Sequence, residues 1–436
     1  MHTDFLRLLT EQPRDAVFAY RDTLPITVAA FLGDVAQIRP VVRTAAAVIN
    51  LCEDRYAFLV GMAAALAEGR TSLLPSSRAP DVVAEVATLW PGSMLLDDRC
   101  LERANDDVGA PTAIEIDPGM TALIGFTSGS TGQPKPNAKT VGSLMASTAR
   151  NAAMLRAALP AGMGMPSIVA TVPPQHMYGI ELSVYLPLLA GFPVSAARPL
   201  FPADIATCLA AVSRPRILVS TPVHLRALLD SGVQLPKIDL LVSATAPLDA
   251  NLAAAIEQRC GAPLLELFGS TETCVIASRQ TARDEAWHRW PDVTLQPVPE
   301  GTWVNAPWFQ EPKLLQDHLR LLDGLYFMLE GRQQDLVDIA GKRASLADLT
   351  QRLLKVPGVI DAAFVMPDPD ASGRVPRLAA LVVAPGRSAG ELLQALRNGC
   401  DPVFLPRPLR LVERLPRNET GKLRRADLLE LLKSQA

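Results

Sequence analysis

The sequence predicts an α/β protein in two parts, a large multi-subdomain N-terminal domain with mostly parallel sheets and a small α+β lid domain behind it. Three observations predict this. The chain has 436 residues, 49% hydrophobic and 20% charged, more than one ordinary domain needs and enough to bury a sizeable core. Short apolar runs alternate with helical patterns through most of its length, as in sheets covered by helices. The texture then changes near residue 330, so the division is expected at 1–332 and 333–436, the second part being a mobile domain of ordinary size.

The elements follow in order. Ser167–Val172, Ile217–Ser220, Leu240–Ala244 and Leu264–Phe268 read as buried strands, each apolar and bounded by Pro, Gly or Ser. Glu181–Leu189, Ala203–Val212, Val223–Leu229 and Asn251–Arg259 read as helices between them. In the second part Val359–Val365, Leu378–Ala384 and Leu409–Arg414 read as strands and Ala389–Leu396 as a helix.

Composition excludes several classes. A net charge of −3 without a long like-charge run offers nothing to a nucleic-acid backbone. The Met1-His2-Thr3-Asp4 start carries an early acid and no export pattern, and the apolar run Tyr185–Val194 is too short to span a bilayer. Cys52, Cys100, Cys208, Cys260, Cys274 and Cys400 lack metal-type spacing, so reduced thiols and a cytoplasmic location are expected.

Three segments carry chemistry. Thr127-Ser128-Gly129-Ser130-Thr131-Gly132-Gln133-Pro134-Lys135 follows directly on the apolar run Thr121–Phe126. Its glycines let backbone N–H groups converge, and its hydroxyls and Lys135 add donors with no acid to repel an anion, so it reads as a phosphate cradle. It is not a Walker A loop, because Lys135 follows Pro and no Ser or Thr comes after it. Phe268-Gly269-Ser270-Thr271-Glu272 sets a carboxylate among hydroxyls at a strand's C-terminal end, a place suited to Mg²⁺. Near the C-terminus, Thr420-Gly421-Lys422 presents a lysine on a turn.

Together with Gly331-Arg332 and Gly341-Lys342-Arg343, these segments, in this order, resemble the adenylate-forming superfamily of acyl- and aryl-CoA synthetases, peptide synthetase adenylation domains and luciferases. The resemblance runs from the helix lead-in Asn50-Leu51-Cys52-Glu53 to the end of the chain. It implies ATP and Mg²⁺ as cofactors, a small carboxylic acid as substrate, and an acyl carrier protein or CoA as thiol partner. It further implies that Thr127, Ser128, Gly129, Ser130, Thr131, Gly132 and Lys135 hold the β- and γ-phosphates, Thr271 an α-phosphate oxygen and Glu272 the metal. By the same resemblance Phe268 and Gly269 face adenine opposite a wall of Ser243, Ala244, Thr245, Ala246 and Pro247. Asp317 and Arg332 hold the ribose, and Lys422 bridges the carboxylate and α-phosphate. The segment Pro173-Pro174-Gln175-His176-Met177-Tyr178-Gly179 resembles the family's substrate motif, with His176 at the carboxylate and Tyr178 and Gly179 along the acyl pocket.

The chain departs from that pattern in an early phosphate loop, Pro136 after Lys135, an adenine wall without its usual glycines, and Gln334 at the expected hinge. The short chain, the Pro136 variant and the string Pro174-Gln175-His176-Met177-Tyr178-Gly179 resemble the short ligases of aryl polyene and xanthomonadin pigment pathways, which load 3-hydroxybenzoate-type acids onto a carrier protein. An acyl-CoA synthetase for a fatty or aryl acid and a silent nucleotide-binding regulator are the competing readings. Retention of Glu272, Lys422 and the whole phosphate loop weighs against the regulator.

Overall fold

The computed structural model describes residues 6–9, 12–103, 114–128, 134–332, 336–339, 342–367, 377–397, 400–418 and 421–434. The chain divides into two compact units, residues 1–285 with 306–311, and residues 286–305 with 312–436.

In the first unit, the strands Val17–Arg21, Val194–Ser195, Ser167–Ala170, Arg216–Ser220, Leu240–Ser243 and Leu264–Ser270 lie side by side in that order, all parallel. Antiparallel strands, Leu24–Thr27 and Cys274–Arg279, extend its two ends. A second sheet runs Met94–Leu96, Ala47–Asn50, Thr71–Leu74, Thr121–Ser128, parallel throughout, and ends on the antiparallel Pro134–Thr140. Ser167–Ala170 and Leu240–Ser243 are buried along their whole length, which explains why they read as unbroken apolar runs rather than alternating ones. Helices start where side-chain caps meet orphan N–H groups: Asp54 accepts from Ala57 at 2.8 Å, and Asp249 opens Ala250–Cys260, which closes on Gly261 at φ +58°.

The expected helix Glu181–Leu189 is split between two pieces, behind a separate turn that precedes it. A single turn at Met177–Gly179 leads into a π-helical stretch, Ile180–Tyr185, and then Leu186–Ala190. Ser183 donates to the Gly179 carbonyl at 2.7 Å, and Pro187 lies in the first turn of the last piece and cannot donate. The wider turn lets Glu181 face inward, where it is buried.

Arg55, at the start of the helix Arg55–Ala67, is wholly buried. Its Nη2 donates to the Ala170 and Val172 carbonyls at 2.9 Å each, and its Nη1 to Ser183. Burial, with Arg198 nearby, lowers its pKa to about 9.

In the second unit, Asp317–Leu321, Tyr326–Arg332 and Trp287–Arg289 form an antiparallel group. The strand Asp361–Val365 pairs antiparallel with Ala379–Val383, which pairs parallel with Leu409–Leu411. Alternation sorts the faces of this small sheet. Ala362, Phe364, Ala380 and Val382 pack on Leu353 and Leu392, whereas Ala363, Val365, Leu381 and Val383 pack on Leu428 and Leu432.

Arg55→Met would leave two strand-end carbonyls without donors. It is expected to destabilise the protein by about 3 kcal/mol in urea unfolding, and a loss below about 1 kcal/mol would show that the guanidinium is replaceable by water.

Candidate active site

The phosphate-loop sequence begins on one strand of a hairpin and returns on the next. Thr127 stands opposite Lys135, and Ser128 opposite Pro134. Gly129, Ser130, Thr131, Gly132 and Gln133, and the side chains of Thr127 and Ser128, lie outside the described residues, and Lys135 is exposed.

The Thr271-Glu272 turn is held from within. Ser270 N donates to Thr273 Oγ1 at 3.1 Å, while Ser270 Oγ accepts from the Glu272 and Thr273 amides at 3.1 and 3.2 Å. Phe268, Thr271 and Glu272 are half-buried beside it, and Gly269 is exposed. A Cβ on Gly269 would overlap the Cys274 carbonyl oxygen, so only glycine fits there. Opposite the turn, a Cβ on Gly125 would lie 3.5 Å from Thr271 Cγ2, so the strand feeding the phosphate loop passes directly against this segment.

Two charged residues that the sequence reading did not single out anchor this junction. Lys139, buried on Pro134–Thr140, donates to the Glu272 carbonyl at 2.5 Å. Glu181 accepts from Ser147 Oγ at 2.7 Å, Asn151 Nδ2 at 3.1 Å and the Val275 amide at 3.1 Å. Burial raises the Glu181 pKa, against the pull of these donors and of Lys139. Burial and Glu181 also push the Cys274 thiol up to about 12. The available signal for Lys139 was strand phase, since it faces buried Leu123 across the ladder.

The predicted adenine wall follows the strand Leu240–Ser243. Ser243 and Ala244 are buried, Thr245 and Ala246 half-buried and Pro247 exposed. Thr245 has φ +79°, so a β-branched residue occupies a left-handed position where glycine would be unstrained.

His176 is half-buried, and its carbonyl accepts from Ile180 N at 2.8 Å. Tyr178 is buried, and burial holds its pKa well above the ordinary value. Gly179 is an enforced glycine, because a Cβ would overlap the Pro173 carbonyl. Sequence reasoning missed His224, whose Nδ1 lies 2.9 Å from Thr221 Oγ1 and 3.4 Å from Thr171 Oγ1. Burial lowers its pKa. Thr171 and Ser220, 3.1 Å apart, sit just past or at the C-terminal ends of parallel strands, where open α/β sheets bind ligands.

In the second unit, Asp317 and Arg332 stand directly opposite each other in the ladder. Asp317 is buried, and its carbonyl accepts from Thr302 Oγ1 at 2.8 Å. The Arg332 side chain lies outside the described residues, as do Gln334, Gly341 and Thr420 and the side chains of Lys342 and Arg343. Lys422 is exposed on a turn in which its amide donates to Asn418 Oδ1 at 2.8 Å and its carbonyl accepts from Asn418 N at 2.9 Å. Arg417 fixes that turn to the sheet, donating to Gly421 O at 2.6 Å and pairing with both Asp361 oxygens at 2.6 and 2.8 Å.

Gly269→Ala sets a methyl against backbone rather than a movable side chain. It is expected to cost about 2 kcal/mol or more in stability, measured by urea unfolding, and a neutral outcome would show that the hairpin tolerates a wider spacing.

A family model of AMP-binding enzymes matches residues 40–306, and that of the AMP-binding enzyme C-terminal domain matches residues 350–422. A 4-coumarate–CoA ligase of Halorhodospira halophila is 31% identical over 68% of this chain and 73% of its own. An indoleacetate–CoA ligase of Aromatoleum aromaticum is 26% identical over 77% of this chain and 71% of its own. The o-succinylbenzoate CoA synthetase of Bacillus subtilis, solved with its acyl-adenylate intermediate, superposes with a TM-score of 0.79 at 18% identity, over 96% of both chains. From the family match along most of its length, and from the shared fold, the chain belongs to the AMP-binding enzymes.

Proposed function

We propose that this enzyme is an AMP-forming acid–thiol ligase, activating a small carboxylic acid, of hydroxybenzoate type, to an acyl-adenylate and passing the acyl group to a phosphopantetheine thiol. The observation that carries the reading is the junction in the first unit, where the strand entering the phosphate loop lies against Thr271 and Lys139 binds the Glu272 carbonyl. The CoA ligases among the relatives support activation followed by thiol transfer.

The residues present suit Mg²⁺. Among the described residues no cluster of three or more His, Cys, Asp or Glu side chains could hold a metal by itself. A divalent cation here would therefore take the Glu272 carboxylate together with phosphate oxygens, the mixed ligation Mg²⁺ prefers. Bound there, it would neutralise charge on the phosphates and the leaving pyrophosphate. The chain's own groups do the rest. Thr271 and the loop from Thr127 to Lys135 orient the phosphates, Phe268 and the segment from Ser243 to Pro247 hold the adenine, and Asp317 with Arg332 the ribose. Lys422 places a positive charge between the attacking carboxylate and the α-phosphate, where both reactants would otherwise repel. Holding the two in line makes the step effectively unimolecular.

On the acid side, His176 borders the carboxylate, with Tyr178 and Gly179 along the acyl group. Thr171, Ser220 and His224 beside Tyr178 supply polar partners for a ring hydroxyl. The acceptor is read as a carrier-protein pantetheine from the pigment-pathway resemblance, whereas the names of the curated relatives favour CoA as a second reading. Arginines near the Lys422 turn are engaged within the chain: Arg417 pairs with Asp361, Arg424 with Asp427, and Arg425 donates to the Met366 carbonyl. The part from 333 to 436 is proposed to swing about Gln334 between the two half-reactions.

The experiment is ATP–pyrophosphate exchange over benzoates, cinnamates and fatty acids, followed by thioester formation with CoA and with holo carrier protein. Exchange confined to fatty acids would overturn the aromatic assignment. Lys422→Ala is expected to lower exchange by two orders of magnitude or more, the loss of a transition-state donor worth roughly 3 kcal/mol, with ATP binding kept. Near-normal exchange in the folded variant would remove Lys422 from the chemistry.

A further inference from the structure

We infer that Lys139 and Glu181 are positioning residues for the Thr271-Glu272 turn, gripping its backbone on either side of Cys274. The inference rests on the proposed role of Glu272 at the metal. Lys139 reaches out of one sheet, from Pro134–Thr140, to the Glu272 carbonyl at 2.5 Å. Glu181 reaches from the π-helical stretch to the Val275 amide at 3.1 Å, and is itself fixed by Ser147 and Asn151 on the helix Val141–Ala157. The two bonds therefore bracket Thr273 and Cys274, and both charged side chains are buried, at 6% and 3% exposure.

What lies between them is strained. Cys274 has φ +60°, a left-handed conformation that a residue with a Cβ seldom adopts and that persists only where its surroundings over-determine it. The Ser270–Thr273 hydrogen bonds close the turn before Cys274, and beyond it the Thr273 hydroxyl donates to the Cys274 carbonyl at 2.9 Å while Val275 stands opposite Gly269 in the ladder. The clamp adds to these a constraint from two other elements, the strand Pro134–Thr140 and the π-helical stretch. A buried lysine that only needed a partner had a carboxylate near it in Glu181, yet its bond runs to a main-chain carbonyl of the residue proposed to hold the metal. Such outer groups fix the orientation of a metal ligand without touching the metal.

The test compares Lys139→Met, Lys139→Arg and Lys139→Met/Cys274→Gly with wild type. Two readouts are used: amide hydrogen exchange of the peptide covering 268–279 in the free protein, and the Mg²⁺ concentration for half-maximal pyrophosphate exchange. Lys139→Met is expected to speed exchange in that peptide, with strands Arg216–Ser220 and Leu240–Ser243 unchanged, and to raise the Mg²⁺ requirement roughly tenfold. Lys139→Arg should recover most of both. Adding Cys274→Gly should recover the Mg²⁺ dependence as well, because glycine takes φ +60° without outside help.

A folded Lys139→Met variant with wild-type Mg²⁺ dependence and wild-type amide exchange overturns the clamp, and so does a loss that Cys274→Gly leaves untouched. Faster amide exchange with an unchanged Mg²⁺ requirement supports the grip on the turn and overturns the metal role of Glu272. Wild-type protein that exchanges pyrophosphate with no acid overturns the proposed activity, and the hydrogen-exchange comparison still decides the clamp.

Discussion

Carbonyl groups past the ends of parallel strands lose their ladder partners, and each must find another donor or remain unpaired in a dry interior. In this chain buried cations meet that constraint. Arg55 satisfies Ala170 at the end of one strand and Val172 beyond it, and Lys139 satisfies Glu272 beyond another. Each reaches across from a different layer, Arg55 from a helix and Lys139 from the neighbouring sheet, so the same bonds that complete the backbone accounting also fix the layers to one another. The ends they fix are those on which His176, Thr271 and Glu272 follow.

Much of the fold was legible because strands buried on both faces are apolar along most of their length, as Ser167–Ala170 and Leu240–Ser243 are. The early sheet was harder. Its strands Ala47–Asn50, Thr71–Leu74 and Met94–Leu96 have three or four residues each, too few to show a period. The phosphate loop, the Thr271-Glu272 turn and Lys422 were legible through residue chemistry: glycines, hydroxyls and a presented charge. Lys139 and Glu181 were not, because a charged side chain in a sequence reads as solvated and only the fold reveals that it is enclosed. The π-helical stretch was hidden for a related reason. Its apolar pattern suits an ordinary helix, and only the fold shows the wider turn, with Glu181 facing inward and Ser183 bonded back to Gly179.

Glycines divide in the same way. Gly179 and Gly269 look like unremarkable members of turn motifs, yet each leaves room for a carbonyl that no other residue would admit. Thr245 and Cys274 take the opposite course, holding left-handed backbone with a side chain attached. Strain of this kind gathers where geometry is over-determined by neighbours; Thr245 lies within a segment read as nucleotide-binding, and Cys274 lies just past another.

The Arg417–Asp361 pair has a mechanical meaning for the C-terminal lysine. A lysine on a loose loop must be ordered each time it engages a substrate, and fixing backbone costs about 1–2 kcal/mol per residue. Here Arg417 ties the turn to the strand Asp361–Val365 by a forked ion pair and holds the Gly421 carbonyl, while Asn418 bonds the Lys422 backbone, so that backbone is set in its sheet as a tooth is set in a gear. Under the role proposed for Lys422, that share of the ordering cost falls in folding and not in each turnover.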